Sequence, residues 1–409
     1  MPMRRITEII SVQNAEIMRK GTMYIWEKEG WPTLHWDDEY LATLVATVSR
    51  DQGRLVGKME ALGFDLRSEA HLRTLTEDVV KSSEIEGEKL PPDQVRSSIA
   101  RRLGMDAAGL DPMNRNIEGI VELMLDATGN YAQPLTEERL FAWHAALFPT
   151  GRSGMRKIIV GNWRDDAGGP MQVVSGPMGR EKIYFEAPPA DRLPGEMGQF
   201  LRWFEAPGRM DHLLVAGLAH LWFVTIHPFD DGNGRIARAI ADMALARSER
   251  ISQRFYSMSA QIRQERNDYY ETLERSQKAE MDVTRWQEWF LNCLHRAIDG
   301  AQDALATVFT KARFWERFAQ ESLNPRQTKV LNRLLDGGFE GKLNSSKWAQ
   351  MTKCSQDTAS RDIAALIKSE ALQKDPAGGR STSYSLVIVD KHVGGAQGRE
   401  MLGEQSHKP

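Results

Sequence analysis

Only two cysteines, Cys293 and Cys354, occur among 409 residues. Two thiols cannot build a disulfide framework or a cysteine-rich zinc site, and they fit a reducing, cytoplasmic setting. Long hydrophobic runs are missing as well. The opening MPMRRITEIISVQN is basic but lacks the apolar core of a signal peptide. The run Leu213–Ile226 covers 14 residues, against the ~20 that a membrane-crossing helix needs. It reads as a core helix, and no membrane partner is expected. An excess of one charge is also absent: the formal net charge is −3. That gives no global attraction to nucleic acid or to an anionic membrane, so any such surface must be local. No internal repeat stands out. What remains, 41% apolar and 27% charged residues, is the composition of an ordinary soluble globular chain with room for two or three domains.

Periodicity divides the chain into blocks. Residues 1–70 are read as an N-terminal helical region. Its aromatic front, MYIWEKEGWPTLHWD, gives way to helical spacing at Leu41, Leu44, Val45, Val48, Leu55 and Met59. Those aromatics most simply pack a core, and no chemistry follows from them. Residues 71–300 are mostly helical, with one exception. In 171–189, MQVVSGPMGREKIYFEAPP, two β-prone pieces flank a Gly/Pro turn, which predicts a β-hairpin closed off by Pro188 and Pro189. A connecting helix is expected over 301–324. Residues 325–390 show three helical patterns followed by GGRSTSYSLVI, with Asn344 or Ser345 and then Ser355 as N-caps. The Gly-rich polar tail, 391–409, is expected to be disordered. The predicted fold class is mainly all-α.

The apolar run leads directly into HPFDDGNGRIAR, residues 227–238. Pro228 should end the helix at His227, because the residue before a proline is turned away from the α region. Gly232 and Gly234 allow backbone conformations closed to other residues and let a ligand approach the main chain. A new helix is expected near Gly234, since IARAIADMALA is strongly helix-favouring. Its first N–H groups and its dipole would form an anion site. Arg235 and Arg238, three apart, add fixed positive charge. Asp231 is placed to hold a hard cation such as Mg²⁺, and His227 is a candidate general base. A lone histidine or a lone Gly-Asn-Gly turn is usually structural; it is the co-occurrence that argues for a polyphosphate cradle.

The segment is similar, without departure, to the HPFx[DE]GNGRxxR signature of the Fic family. The resemblance implies a helical Fic core that transfers AMP from ATP to a protein hydroxyl and releases pyrophosphate. Carried onto these positions, it makes His227 the base that deprotonates a Ser, Thr or Tyr hydroxyl. Asp231 would bind Mg²⁺ between the α- and β-phosphates. Asn233 and Gly234 would line the anion hole beside Gly232, Arg235 would hold the phosphates, and Arg238 would meet the γ-phosphate. The hairpin resembles the family's flap, which aligns an extended target segment by strand addition; Lys182, Ile183, Tyr184 and Phe185 are its expected target-binding part. In RNDYYETL (266–273), Asn267, Tyr269 and Tyr270 would border the adenine, although tyrosines at such spacing are as often core.

A second feature lies upstream. Leu72, Leu75 and Val79 define an inward helical stripe, and the same step lands on Ser82 and Glu86. A carboxylate in that position is costly to bury unless a cation meets it. A helix end emerging into solvent explains it equally well, with Gly87 as the stop. Ser82-Ser-Glu-Ile-Glu86-Gly87 also resembles the [ST]xxxE[GN] inhibitory motif of one class of Fic proteins. There the glutamate pairs with the second arginine of the signature, here Arg238. The resemblance therefore implies an enzyme silent at rest, with 71–87 as inhibitory helix.

Residues 325–390 resemble a winged helix-turn-helix with GGRSTSYSL as the wing. Between 325 and 388 there are ten Lys/Arg against six Asp/Glu. Gln356, Ser360 and Arg361 would lie on the exposed face of the recognition helix. This excess is modest for a DNA reader, and protein docking remains open. The expected partners are a hydroxyl-bearing target protein or the chain itself, DNA through the third block, and a second copy, since a homodimer is one way to hold the inhibitory helix. Two other readings stand beside the adenylyltransferase. One is a DNA-binding regulator that senses nucleotide, against which the intact His227 argues, because sensing needs no base. The other is a Fic enzyme that removes AMP or transfers another phosphate-bearing group, with Glu86 aligning a water.

Overall fold

The computed structural model describes residues 6–8, 23–105, 114–175, 182–335, 341–376 and 382–387. The expected tail 391–409, the flap tip 176–181 and part of the expected wing, 378–381, lie outside the described residues. The chain divides into two compact units, Met1–Leu305 and Ala306–Pro409. The expected blocks 1–70 and 71–300 thus lie in one unit.

The first unit is built from helices α1 (Asp38–Glu60), α2 (Phe64–Ile85), α3 (Pro92–Arg102), α4 (Arg115–Gly129), α5 (Glu137–Leu147), α6 (Leu193–Glu205), α7 (His212–Ile226), α8 (Asn233–Glu249), α9 (Met258–Gln264) and α10 (Arg266–Lys278). Its strands are β1 (Ile6–Glu8), β2 (Arg152–Ser153), β3 (Arg156–Lys157), β4 (Gln172–Ser175) and β5 (Lys182–Glu186). Helix α11 runs over Thr284–Arg317. The sequence had placed a boundary at residue 300, but the apolar stripe Phe290, Leu294, Ile298, Leu305 continues through it, and one interior glycine, Gly300, costs a helix only about 1 kcal/mol. Among the described residues, no helix is long and apolar enough to cross a membrane.

Helix α7 explains the apolar run. Asp211 caps its start by accepting from the Leu213 N–H at 2.8 Å, and every residue from Leu213 to Ile226 is buried. It has no polar face because its neighbours enclose it: α6 and α8 pack on it, and the Trp286 indole and Gln287 amide of α11 donate to the Gly217 and Leu214 carbonyls. A helix held all round is a rigid support for whatever follows its last turn.

The expected hairpin is β4–β5, antiparallel, with a bulge between Val173 and Val174 that makes Tyr184 the extra residue. Strand β1 pairs with the other edge of β4, giving a sheet of order β1-β4-β5. The N-terminal aromatics carry this sheet. Trp26 donates to the Glu186 carbonyl at 2.7 Å, and the Tyr24 and Phe185 rings meet edge to face at 5.1 Å. Residues read from sequence as plain core therefore brace the flap.

The second unit contains α12 (Pro325–Leu335), α13 (Ser345–Thr352), α14 (Gln356–Lys368) and the antiparallel pair β6 (Leu372–Lys374) and β7 (Tyr384–Leu386). Asn344, not Ser345, caps α13, and Ser355 caps α14, each accepting from a backbone N–H three residues on. Leu331, Trp348, Ile363 and Leu366 form its core.

Candidate active site

Helix α7 stops at Ile226, and His227 takes a left-handed conformation, φ +53°. For a residue with a Cβ this costs roughly 1–2 kcal/mol, so the surroundings must over-determine it. Arg164 does so. Its side chain is fully buried, Nε donates to the His227 carbonyl at 2.8 Å, and its own N–H donates to the Pro228 carbonyl at 3.0 Å. A further N–H reaches the Pro188 carbonyl, tying the helix end to the foot of the flap.

The His227 ring is held by Nδ1, 3.1 Å from the Val224 carbonyl. That carbonyl can only accept, so the proton sits on Nδ1 and Nε2 is the basic nitrogen. Burial, reinforced by the positive charge of Arg164, lowers its pKa to about 4. His227 is therefore a neutral imidazole at physiological pH.

Gly232 follows at φ +83°, where a Cβ would meet the Phe148 ring at 2.9 Å. Helix α8 begins at Asn233, one residue before the expected start. The Asn233 side chain is wholly buried and turned back on its own loop. Its Nδ2 donates to the Phe229 carbonyl at 2.8 Å, and its Oδ1 accepts from the Phe229 N–H at 3.0 Å. The residue shapes the turn, and what it and Gly234 can offer an anion is backbone N–H. His144 supports the loop from below. It stacks on Phe229 at 4.2 Å, accepts from the Gly161 N–H, and so donates through Nε2 to the Asp231 carbonyl at 3.2 Å.

Arg235 and Arg238 of α8 meet acids that follow the last turn of α2. Arg238 is 2% exposed. Its Nε donates to the Ser82 hydroxyl at 2.9 Å and its Nη2 to the Ser82 carbonyl at 3.0 Å and Glu86 Oε1 at 2.7 Å. Burial works against that charge, but Glu86, together with Tyr269 and Tyr270, keeps the guanidinium above its ordinary value. A Cβ on Gly234 would stand 2.3 Å from Glu86 Oε1, so the carboxylate lies directly on the start of α8. Gly87 then turns the chain at φ +84°. Arg235 pairs with Glu88 at 3.2 Å and lies over the Phe148 ring.

Two cavities meet at Glu86. One, of about 310 Å³, is lined by His227, Gly234, Asn267, Tyr269, Tyr270 and the flap residues Val173, Tyr184 and Phe185. The structure thus brings the expected base, adenine-border residues and two of the four flap residues to one space. Lys182 instead lies over the Tyr184 ring. Tyr269 also has a packing role, its hydroxyl meeting His220 Nε2 at 2.9 Å. The other cavity, about 700 Å³, is lined among others by Glu88, Ser153, Asp231 and Arg235. Gln356, Ser360 and Arg361 lie in the second unit, exposed on α14, where the Gln356 amide donates to the Ser345 and Ser346 hydroxyls.

Sequence reasoning missed Arg164, His144, Glu88 and Ser153. Glu88 carried a signal, being a second acid two residues past the inhibitory glutamate. The others act across more than 60 residues of chain, and no spacing rule reaches them.

Four buried histidines, His144 and His227 of this site among them, make the fold acid-sensitive. Burial is the first cause in lowering His71 to about 4, His144 to about 4, His220 to about 3 and His227 to about 4. Unfolded, each takes up a proton near pH 6.5. Below that pH the unfolded state binds more protons, so stability rises with pH up to about 6.5 and is flat above. Each histidine contributes up to ~1.4 kcal/mol per pH unit. The melting temperature should therefore fall between pH 6.5 and 5, before most carboxylates protonate; no change across that window would refute the account.

Comparison with known families defines the class of domain in the site. Residues 134–245 match the model of the Fic/DOC family, and residues 24–105 match that of a domain of unknown function (DUF4172). Individual relatives follow. The chain is 33% identical over 127 residues to protein adenylyltransferase Fic of Nematostella vectensis, covering 30% of this chain and 27% of that one. It is 24% identical over 265 residues to the Drosophila erecta protein of the same name, covering 61% and 48%. It is 32% identical over 123 residues to a uridine 5'-monophosphate transferase of Xanthomonas campestris pv. campestris, covering 28% and 21%. The chain thus spans at most about half the length of these relatives. A crystal structure of a Fic family protein from Desulfovibrio desulfuricans G20 superimposes with a TM-score of 0.50 at 21% identity, covering 85% of this chain and 97% of that one. That likeness speaks to the fold alone. The chain therefore carries a Fic/DOC family domain and has relatives, at modest identity, named as protein adenylyltransferases.

Proposed function

We propose that this chain is an autoinhibited protein adenylyltransferase, moving AMP from ATP to a Ser, Thr or Tyr hydroxyl of a target protein or of itself. One observation carries the reading. A neutral histidine, its basic nitrogen on Nε2, stands beside the N-terminus of a helix whose buried arginine is already claimed by a glutamate. His227 Nε2 takes the proton of the attacking hydroxyl, whose oxygen bonds to the α-phosphorus. The bond from that phosphorus to the α–β bridging oxygen breaks, and pyrophosphate leaves. The first N–H groups of α8 and Arg235 balance the charge that spreads over the phosphoryl oxygens. Glu86, while on Arg238, occupies the counter-charge meant for the γ-phosphate.

Mg²⁺ fits this reading. Among the described residues there is no group of three potential ligands that could hold an ion by itself. A nucleotide-bound Mg²⁺, however, needs only one or two carboxylates besides phosphates and water, and Asp231 supplies one. The bound ion would neutralise phosphate charge.

The test is the mass of the intact protein after incubation with ATP and Mg²⁺, in the Glu86→Gly background, with UTP alongside because one relative is a uridine monophosphate transferase. A gain of one AMP is expected. No nucleotide on the Glu86→Gly protein ends the self-modification reading, and UMP in place of AMP changes the donor.

For the second unit we propose a winged helix that contacts DNA through α14. Gln356, Ser360 and Arg361 are all exposed there. The full chain should retard mixed-sequence duplex at low salt, and alanine at these three positions should weaken it. Absence of binding by the parent would leave a protein-docking role instead.

A further inference from the structure

Ser153 sits on a small hairpin that the nucleotide reading does not use. Gly151 and Gly154, both at positive φ, bracket β2. The Arg152 guanidinium donates to the Met155 carbonyl at 2.8 Å, and the Ile158 N–H donates to the Gly151 carbonyl at 3.1 Å. So short a ladder has little stability of its own. What holds it is the signature loop. The Ser153 hydroxyl donates to Asp231 Oδ2, the Ile159 N–H donates to Asp230 Oδ2 at 2.8 Å, and Arg156 stands 3.7 Å from Asp230 Oδ1. The hairpin grips both acids of the Asp-Asp pair.

The Asp231 end of that grip has a chemical consequence. The other oxygen, Oδ1, accepts from the Gly232 N–H at 2.5 Å and lies 3.8 Å from Arg235 Nη2. A carboxylate this close to a guanidinium has a strong alternative, a bidentate pair. Rotating into it would remove Asp231 from a cation and Arg235 from phosphate in one movement. The Ser153 hydroxyl opposes the rotation by holding Oδ2. A hydroxyl suits the task, because a carboxylate oxygen that accepts one hydrogen bond keeps a lone pair for a cation. The 700 Å³ cavity that Ser153, Asp231 and Arg235 line has room for the waters Mg²⁺ retains.

We propose that Ser153 is a positioning residue that keeps the Asp231 carboxylate turned to the cation of a bound Mg·nucleotide and away from Arg235. The proposal rests on the reading of Asp231 as the cation's protein ligand. Partners that orient a metal's ligands are typically worth 10–100-fold in affinity for the metal.

The test uses the full chain carrying Glu86→Gly, and calorimetric binding of α,β-methylene-ATP with and without Mg²⁺. In that parent, Mg²⁺ should tighten nucleotide binding. Ser153→Ala should lower the metal-free affinity only as far as Asp231 draws Arg235 from phosphate, should lose about 10-fold of the Mg²⁺-dependent tightening besides, and Ser153→Thr should restore both. The ligand-free melting temperature should be the same in all three, which a merely structural serine would not produce. If Asp231→Ala abolishes the tightening but Ser153→Ala keeps all of it, the role of Ser153 is wrong and the reading of Asp231 stands. If Asp231→Ala tightens like the parent, that reading fails and the proposal fails with it.

Discussion

Replacing Glu86 with glycine should raise AMP incorporation from ATP by roughly 5–150-fold, the range of a coupling free energy of about 1–3 kcal/mol. The geometry sets the sign. Glu86 caps α2 and reaches Arg238 at 2.7 Å, where the arginine side chain is 1% exposed and also held by Ser82. A phosphate arriving at Arg238 must displace that carboxylate, and its charge repels the carboxylate wherever it moves. With Glu86 gone, the incoming phosphate finds a buried guanidinium in need of an anion. The same change should lower the melting temperature of the nucleotide-free protein, because removing one partner of a buried pair leaves an uncompensated charge. ATP should then stabilise the variant more than the wild type. The two readouts together separate release of a latch from simple loosening. An inert variant with an unchanged melting temperature would mean that the Glu86–Arg238 contact restrains nothing.

The second large effect is expected at His227. In the Glu86→Gly background, His227→Ala should reduce transfer by 10²–10⁴-fold, the usual worth of a positioned general base, while nucleotide binding stays nearly unchanged. The imidazole is neutral, held through Nδ1 by the Val224 carbonyl, and placed on a backbone fixed by Arg164. None of these contacts holds phosphate, so binding and chemistry should part at this residue. A titration of nucleotide affinity beside the rate decides it. Equal losses in both would make His227 a structural element of the loop, and an unchanged rate would remove the base from the mechanism.

Much of the candidate site was legible because it is local. His227, Asp231, Gly232, Gly234, Arg235 and Arg238 fall within twelve consecutive residues. A helix stop, a glycine turn and a helix start place them by backbone geometry alone. The stripe ending at Glu86 was legible for the same reason, since helical period is a local property. Spacing did not give its partner, leaving Glu86 either buried on a cation or open to solvent, and it was the resemblance that pointed to Arg238. Only the packing of α2 against α8 put its carboxylate on the start of α8.

Other parts depended wholly on chain segments far apart. Arg164 fixes a strained histidine 63 residues away, His144 braces the Asp231 carbonyl 87 residues away, and Ser153 reaches the Asp231 side chain 78 residues away. Trp26 supports the flap from 160 residues away. In the sequence Trp26 was indistinguishable from any core aromatic. The outer edge of β4 carries Ile6–Glu8 of the same chain, a pairing that no local pattern announced.

The sequence by itself determined the chemistry on offer: which groups can take a proton, hold a phosphate or bind a cation, and in what order along two helix ends. The tertiary structure alone decided the state of those groups. Burial keeps His227 neutral, Glu86 and Glu88 sit on Arg238 and Arg235, and Ser153 donates to Asp231. The reason is physical: the identity and local spacing of a group are written in the chain, while its charge state and its partner depend on what desolvates it and what lies across from it.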